Sequence, residues 1–441
     1  MGVIHLVPGF QPAGATIELE KLREGKVLVV GGGGREHAIV DALSKSLYVS
    51  KIYCAPGNAG IAAKAECVPI GDHDIPALLA FAREQHVDLT VVGPEVPLAA
   101  GLADAFTAAG LRVFGPTQAA ARIESSKDFA KGLMKKYGIP TASYVTFSDY
   151  GAALEHVRQG PFPVVLKYDA LAAGKGVVIA EDFAQAEQAL QDLHRFGDGK
   201  VVVEEFLTGP EFSLMCFVSG TEVRPMVIAQ DHKRAYEGDR GPNTGGMGAY
   251  SPVPIISDED IRYAEKEIME KMAAAMVQEG CPFQGVLYGG LMKTPDGVKV
   301  IEFNCRFGDP ETEVVLPRLK SDIYEIFRAV ADGTPIPEPE WSDEAVMGFV
   351  MASKGYPGSY SKGFEINGLE EALSDPDVQV YHMGTARGED GVVKTAGGRV
   401  LMVLSGGKDL LQARDKALSA VRKIQCDNLF YRNDIGWRVL S

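Results

Sequence analysis

The sequence predicts an α/β protein, and three observations carry that prediction. From Gly25 onward, short apolar runs alternate with segments of helical periodicity across short loops, the pattern of a doubly wound, mostly parallel sheet. After residue 125 the order changes to a compact two-layer mixture of strands and helices. A proline-rich stretch at 334–339 then sets off a last group of strands closed by a helix. The composition is that of a globular chain, with 46% apolar and 23% charged residues and a mean hydropathy of −0.01, which excludes wholesale disorder.

Residues 26–30 form the first strand, which runs into four glycines, and 35–44 the helix behind them. Residues 51–54 read as a strand ending at Ala55-Pro56-Gly57-Asn58. A helix over 75–84, a strand over 88–92, a helix over 98–109 and a strand over 112–114 complete a unit that closes near 125. Ser125-Ser126 offers an N-cap for a helix over 127–137, which Gly138 ends. Strands around 164–167 and 176–180, a helix over 182–193, and strands over 201–206, 211–218 and 224–229 follow. Beyond the glycine- and proline-rich passage 238–254 lies a helix over 261–278, whose Ile268, Met272 and Met276 recur at helical spacing as a core face. Residues 286–292 and 298–303 make a strand pair around the turn Pro295-Asp296-Gly297. After the linker, 345–352, 378–382 and 399–404 are strands and 410–424 a helix.

Charge and cysteine usage narrow the function. Forty-four basic against 59 acidic residues leave a net charge of −15, which disfavours wrapping nucleic acid or an anionic membrane. No apolar run approaches the ~20 residues of a membrane span. Residues 1–24 lack the series of basic start, apolar segment and cleavage site that marks a secretory signal, and read as an N-terminal extension. Cys54, Cys67, Cys216, Cys281, Cys305 and Cys426 form no Cys-x-x-Cys pair, so reduced cysteines in a cytoplasmic protein are expected rather than a disulfide scaffold or zinc site.

Five passages carry candidate chemistry. Gly31-Gly32-Gly33-Gly34-Arg35-Glu36-His37 joins a strand to a helix, where glycines admit an anion to the helix N-terminus, with Arg35 as a counter-charge. A structural glycine turn or a dinucleotide fingerprint are the alternatives, and the latter lacks its third glycine and its ribose acid. Leu171-Ala172-Ala173-Gly174-Lys175-Gly176 reads either as a flap closing on polyphosphate, with Lys167 on the strand before it, or as a surface hairpin. Glu204-Glu205-Phe206-Leu207 with Glu211 could meet an adenine edge and ribose hydroxyls, or be solvated acids on a strand edge. Asp231-His232-Lys233-Arg234 leads into a glycine-rich loop and reads as a substrate loop or a plain turn, with His232 a proton carrier or a structural hydrogen-bonder. In 301–311, strand alternation puts Glu302, Asn304 and Arg306 on one face and Ile301, Phe303 and Cys305 toward the core. A carboxylate beside an amide oxygen suits a hard cation that keeps water and phosphate ligands, and an arginine next to them suits a carboxylate or phosphate; a solvated polar face is the alternative.

Taken together, these passages resemble the ATP-grasp superfamily, and within it the phosphoribosylamine–glycine ligase family. The carriers are Val-Gly-Gly-Gly-Gly-Arg-Glu-His-Ala at 30–38, Ala-Pro-Gly-Asn-Ala-Gly at 55–60 and Val-Gly-Pro-Glu at 92–95. With them stand Leu-Ala-Ala-Gly-Lys-Gly-Val at 171–177, the run from Gln230 to Pro252, and Glu-Phe-Asn-Cys-Arg-Phe-Gly-Asp-Pro-Glu-Thr at 302–312. The resemblance implies a Rossmann-like N-terminal domain over 25–125, an ATP-grasp core over 126–345 with an inserted lid at about 140–205, and a small C-terminal α+β domain over 346–441. It implies a ligase that joins glycine to 5-phosphoribosylamine through a glycyl phosphate, giving glycinamide ribonucleotide, ADP and phosphate in de novo purine biosynthesis.

Carried over by position, Lys127, Lys167 and Lys175 should contact ATP phosphates, and Glu204, Glu205, Phe206, Leu207 and Glu211 the adenosine. Glu302 and Asn304 should hold Mg²⁺ or Mn²⁺. Arg306 and Lys175 should act catalytically, and Gly33, Gly34, Asn58, Glu95, Asp231, Lys233 and Arg306 should hold substrate. A monomer without nucleic-acid or membrane partners is expected. Two features depart from the family pattern: Tyr168 and Ala170 stand before the flap glycines, and Gly209-Pro210-Glu211 leaves one ribose-side acid where the family commonly has two. The rival readings are a nicotinamide oxidoreductase, a silent nucleotide-binding regulator and an ATP-dependent enzyme acting on another acid.

Overall fold

A computed structural model describes residues 24–170, 176–195, 197 and 199–440. The extension expected over 1–24 falls outside these but for Glu24, as do the flap loop 171–175 and its Lys175.

The N-terminal unit is a five-stranded parallel sheet. Its strands are β1 (Gly25–Gly31), β2 (Val49–Pro56), β3 (Glu66–Cys67), β4 (Leu89–Val92) and β5 (Val113–Phe114), in the order β3-β2-β1-β4-β5. Val27 and Val29 pack on one face with Ile39 and Leu43 of helix α1 (Gly34–Ser44), while Leu28 and Val30 pack on the other with Leu98 and Phe106. Burial on both faces is why β1 reads as an unbroken apolar run rather than an alternating one. The helix expected over 98–109 is two helices, α2 (Glu95–Ala99) and Leu102–Ala108, because Gly101 turns at φ +91° between them. The break sets Glu95 in the first turn of a separate helix, directly after the Val92-Gly93-Pro94 end of β4.

Helix α3 (Gln118–Ser125) leads into α4 (Lys127–Tyr137), capped by the Ser126 side chain on the Phe129 N–H and ended by Gly138 at φ +67°. A four-stranded antiparallel sheet follows, β6 (Tyr144–Phe147), β7 (Val164–Tyr168), β8 (Val177–Ala180) and β9 (Val201–Glu205), in the order β6-β9-β7-β8. With the helices Tyr150–Gln159 and Phe183–His194 it buries a core of its own, including Leu166, Leu190 and Val203.

The central sheet runs β11-β10-β16-β17, from β10 (Glu211–Ser219), β11 (Glu222–Pro225), β16 (Gln284–Thr294) and β17 (Gly297–Asn304). The helix expected over 261–278 has a π-helical middle, Ala264–Glu270, and its Ile268, Met272 and Met276 are fully buried. In the β16–β17 ladder, Gly290 lies opposite Glu302 but Leu291 opposite Val300, so Ile301 is the extra residue of a β-bulge. This corrects the expected alternation. Val298, Val300, Phe303 and Cys305 face the core, whereas Ile301 stays half-buried outside it. Without the extra residue Glu302 would share the face of Val298 and Val300.

Between these central strands come β12 (Gln230–Asp231), a hairpin of β13 (Arg234–Tyr236) and β14 (Arg240–Asn243), and β15 (Gly248–Ser251). The last sheet includes β12-β15-β18-β22-β19 and brings in β18 (Ala345–Ser353), β19 (Val378–His382) and β22 (Arg399–Gly407). A small hairpin of β20 (Thr385–Arg387) and β21 (Val393–Thr395) sits beside it. Strands β12 and β15 lie well before residue 346 in the chain, yet β15 pairs along β18. The sheet therefore crosses the boundary that the linker marks in sequence.

Candidate active site

The glycine loop is organised by a buried acid. Glu36 accepts from the Gly33 N–H at 2.8 Å, the N3-to-N-cap half of a capping box at the start of α1, and from Arg35 Nε at 2.7 Å. A methyl group on Gly93 would lie 2.0 Å from Glu36 Oε1, and one on Gly31 would lie 2.6 Å from its side chain. A side chain at either position would have to displace the carboxylate that fills the space, and Gly31 also sits at φ +124°. Arg35, read from sequence as a counter-charge, turns inward to Glu36 and to the Phe307 carbonyl at 3.3 Å. The guanidinium at the cavity in front of the loop belongs to Arg399 instead. That cavity, about 400 Å³, is lined by Gly32, Gly33, Gly34, Asn58, Asp309 and Arg399, with Met383 and the glycines at 384, 397 and 398 across from them.

Asn58 lines this cavity, but its amide donates to the carbonyls of Gly32 (3.0 Å) and His382 (2.7 Å) and accepts from the N–H groups of Gly60 and Ile61. All four of its hydrogen-bonding positions are used, so it contributes shape rather than a free polar group.

The β17 face comes together around a residue that sequence reasoning missed. Arg306 donates to Glu95 (Nε, 3.3 Å) and to Glu124 of α3 (Nη2, 3.0 Å). Glu124 also accepts the Cys305 N–H at 2.8 Å, and the Asn304 amide, assigned by its hydrogen bonding with the nitrogen toward this acid, reaches it at 3.2 Å. Glu302 is half-buried. Burial alone would raise its carboxyl, but Lys233, Lys167, Lys127 and Arg306 outweigh burial and hold it below the usual range.

Opposite this face stand the lysines. Lys167 of β7 pairs with Glu204 of β9 at 3.0 Å and donates to the Ile301 carbonyl at 3.2 Å. Lys131 of α4, also missed, pairs with the same Glu204 oxygen at 3.2 Å and donates to Thr141 Oγ1 at 2.7 Å. Burial, with the charge of Lys167 beside it, pushes Lys131 down to about 8, although Glu204 supports its charge. Glu204 Oε1 has no hydrogen-bond partner among the described residues. Lys127 donates to the Ala170 carbonyl at 3.2 Å, and burial lowers it despite the nearby Glu302. Glu205 points the other way, onto Ser143, and Phe206 and Leu207 are half-buried in the connector toward β10.

A third cluster closes the site. Lys233 pairs with Glu211 at 3.1 Å, and Glu211 and Asp231 keep it charged. Burial pushes Asp231 up to about 7, with Glu311 and Glu211 adding to the rise against Lys233. Glu311 accepts from Tyr288 (2.8 Å) and Ser213 (3.1 Å). His232 is fully buried and accepts the Gly436 N–H at 3.0 Å through Nε2, the structural one of its two readings. One sequence signal pointed to Glu36, its place at the third helical position after the Gly33 N-cap, from which a Glu side chain reaches back to the N-cap N–H. Nothing local marked Glu124, Lys131 or Arg399, whose charged partners lie far away in the chain.

Comparison with known proteins matches this architecture in order. Residues 25–124 match the phosphoribosylglycinamide synthetase N domain, 125–312 its ATP-grasp (A) domain and 346–438 its C domain. The chain belongs to the phosphoribosylglycinamide synthetase family. A relative in Halalkalibacterium halodurans, a phosphoribosylamine–glycine ligase, is 52% identical over 420 residues, covering 94% of this chain and 97% of its own. The Salmonella typhimurium phosphoribosylamine–glycine ligase is 47% identical over 427 residues, covering 94% and 99%. The crystal structure of the Thermotoga maritima phosphoribosylamine–glycine ligase superposes with a TM-score of 0.80 at 31% identity, over 93% of this chain and 99% of that one. A Campylobacter jejuni biotin carboxylase shares the fold alone, with a TM-score of 0.72 at 15% identity over 93% and 94%. The phosphoribosylglycinamide synthetase fold is thus mixed α/β, with a parallel N-terminal sheet ahead of the ATP-grasp and C-terminal parts. No helix among the described residues is long and apolar enough to cross a membrane.

Proposed function

We infer that the chain is an ATP-dependent ligase that joins glycine to 5-phosphoribosylamine, giving glycinamide ribonucleotide, ADP and phosphate in purine biosynthesis. The observation that carries the assignment of its site is the single polar face of Glu302, Asn304 and Arg306, set opposite the cations of Lys127, Lys167 and Lys233.

The chemistry follows from the weakness of a carboxylate as an acylating agent. Phosphorylating glycine gives a glycyl phosphate, from which phosphate leaves when the sugar's amine attacks. Lys127, Lys167 and Lys175 neutralise the ATP phosphates. Glu204, Phe206 and Leu207 border the adenine and Glu211 the ribose, while Glu205, its carboxylate turned onto Ser143, offers the adenine its backbone alone. The unpartnered Glu204 Oε1 is an acceptor suited to an amino group there. Arg306, fixed by Glu95 and Glu124, stabilises charge on the acyl phosphate. Gly33, Gly34, Asn58, Glu95, Asp231 and Lys233 form the surroundings of the phosphoribosylamine and glycine.

A carboxylate and an amide on one face fit a divalent cation whose other ligands are phosphate and water, and no group of three His, Cys, Asp or Glu that could hold a metal occurs among the described residues. Glu302 and Asn304 would hold Mg²⁺ or Mn²⁺. When bound, the ion offsets negative charge as the γ-phosphoryl group moves. Strand β16 carries no acid over 285–293, so one protein-held ion fits better than two.

The reading includes domains over 25–125, 126–345 with a lid at about 140–205, and 346–441. It also includes a cytoplasmic monomer without nucleic-acid partners. The test is ADP release with ATP, glycine and freshly generated phosphoribosylamine, each omitted in turn. Full release only with all three is expected, and release indifferent to the amine overturns the assignment.

A further inference from the structure

Beneath the glycine loop lie two carboxyl groups that the reaction scheme above does not use. Glu313, in the short helix Thr312–Val315, is completely buried, and neither of its oxygens has a hydrogen-bond partner with a proton to give among the described residues. Its side chain lies against that of Asp309, which lines the cavity and pairs with Arg399 at 3.0 Å. The pair sits directly under the loop. A methyl group on Gly34 would come within 2.6 Å of Glu313 Oε1, and one on Gly33 within 3.7 Å of Asp309 Oδ2.

Two ionised carboxylates offer only acceptors, so contact between them in a buried place requires a proton. The surrounding charges say which group carries it. Burial, then the charge of Asp309, pushes Glu313 well above the carboxylate range, with Arg399 opposing. Arg399, Arg35 and Arg306 hold Asp309 below its usual value against burial. Two further ionisable groups lie close by: Tyr381 of β19, which burial and nearby acids keep neutral, and Glu36, whose carboxylate shares the space over Gly33 with Asp309 and is held by the Gly33 N–H and Arg35.

We propose that Glu313 is a neutral acid that donates its proton to a hydrogen bond with Asp309, and so positions the ionised Asp309 beside Arg399 as the wall that accepts hydroxyl groups of the amine-bearing sugar. This role rests on the ligase reading above, because it assigns the cavity to the phosphoribosylamine. Glu313 touches no substrate. It is a positioning residue whose uncharged donor, not its charge, matters.

Gln supplies a neutral donor of similar shape and Ala does not, so E313Q and E313A separate the role from mere packing. E313Q should keep the KM for phosphoribosylamine within about twofold of wild type. E313A should raise it about tenfold, the worth of one well-placed hydrogen bond, with the KM values for ATP and glycine unchanged. The infrared spectrum at neutral pH should show a protonated-carboxyl C=O band that E313Q lacks, a readout that needs neither turnover nor E313A. An E313Q enzyme as impaired as E313A, equal rises in all three KM values, or wild-type and E313Q spectra alike in that region would overturn the proposal. Failure of wild type to release ADP with all three substrates would instead strike the ligase reading, while the infrared comparison still judges the carboxyl pair.

Discussion

Arg306 and Glu124 meet at 3.0 Å at the end of β17, and the same carboxylate takes the Cys305 N–H and the Asn304 amide nitrogen. One buried acid from α3 therefore aims two of the three polar side chains on that face. Replacing it should be costly. E124A leaves the Cys305 N–H unsatisfied and Arg306 with Glu95 as its remaining carboxylate, and should destabilise the fold by about 3–5 kcal/mol, read from urea unfolding. It should also lower kcat.

Glu302 tests the same face from the side of the chemistry. E302Q keeps the shape but removes the charge that Lys233, Lys167 and Lys127 now balance. We expect kcat to fall by about a hundredfold or more, with ATP affinity changed by less than about threefold, because a metal ligand matters most as phosphoryl charge develops. Separate measurement of kcat and of ATP binding by calorimetry decides it. Wild-type turnover in E302Q removes Glu302 from the metal site.

Much of this was legible in the sequence, for reasons that differ by element. The strand Lys26 to Val30 and its glycine loop were readable because a parallel strand buried on both faces is apolar throughout. The helix 127–137 was readable to the residue because Ser126 and Gly138 mark its ends locally. The face of Glu302, Asn304 and Arg306 was also read correctly, but the inward place given to Ile301 was not, since the bulge that exempts it is a property of pairing with β16. Arg399 lay beyond reach for a similar reason. Only the folded chain brings β22 to a loop more than 350 residues earlier, and no local pattern records that contact.

Gly93 carries a prediction that no catalytic argument needs. G93A would place its methyl 2.0 Å from Glu36 Oε1, inside the space the buried carboxylate fills. Overpacking of this kind should cost about 1–3 kcal/mol, read as a lower urea midpoint, and should raise the KM for phosphoribosylamine through the displaced Gly33 N–H. An unchanged midpoint would show that the loop yields freely.

The junction of the N-terminal and C-terminal sheets should be acid-sensitive. His37 Nδ1 accepts the His382 N–H at 2.8 Å. Burial, then the charge of His382, pushes His37 down to about 3, and burial pushes His382 down to about 4. Between those values and the ordinary histidine value of 6.5, the unfolded chain binds more protons than the folded one. Stability from this pair is therefore present above about 6.5 and is lost as pH falls toward 4. H37N keeps an acceptor near Nδ1 without a titrating ring, and should flatten the slope of unfolding free energy against pH over that window. An identical slope in H37N would place the acid sensitivity elsewhere.

The account turns on glycine's carboxylate being phosphorylated before the amine attacks. Glycine labelled with ¹⁸O in both carboxyl oxygens tests this directly, with mass analysis of the phosphate released during turnover with ATP and phosphoribosylamine. One ¹⁸O in each phosphate is the predicted result, because the oxygen that attacks the γ-phosphorus leaves with it. Phosphate free of label, formed alongside glycinamide ribonucleotide, would contradict the account.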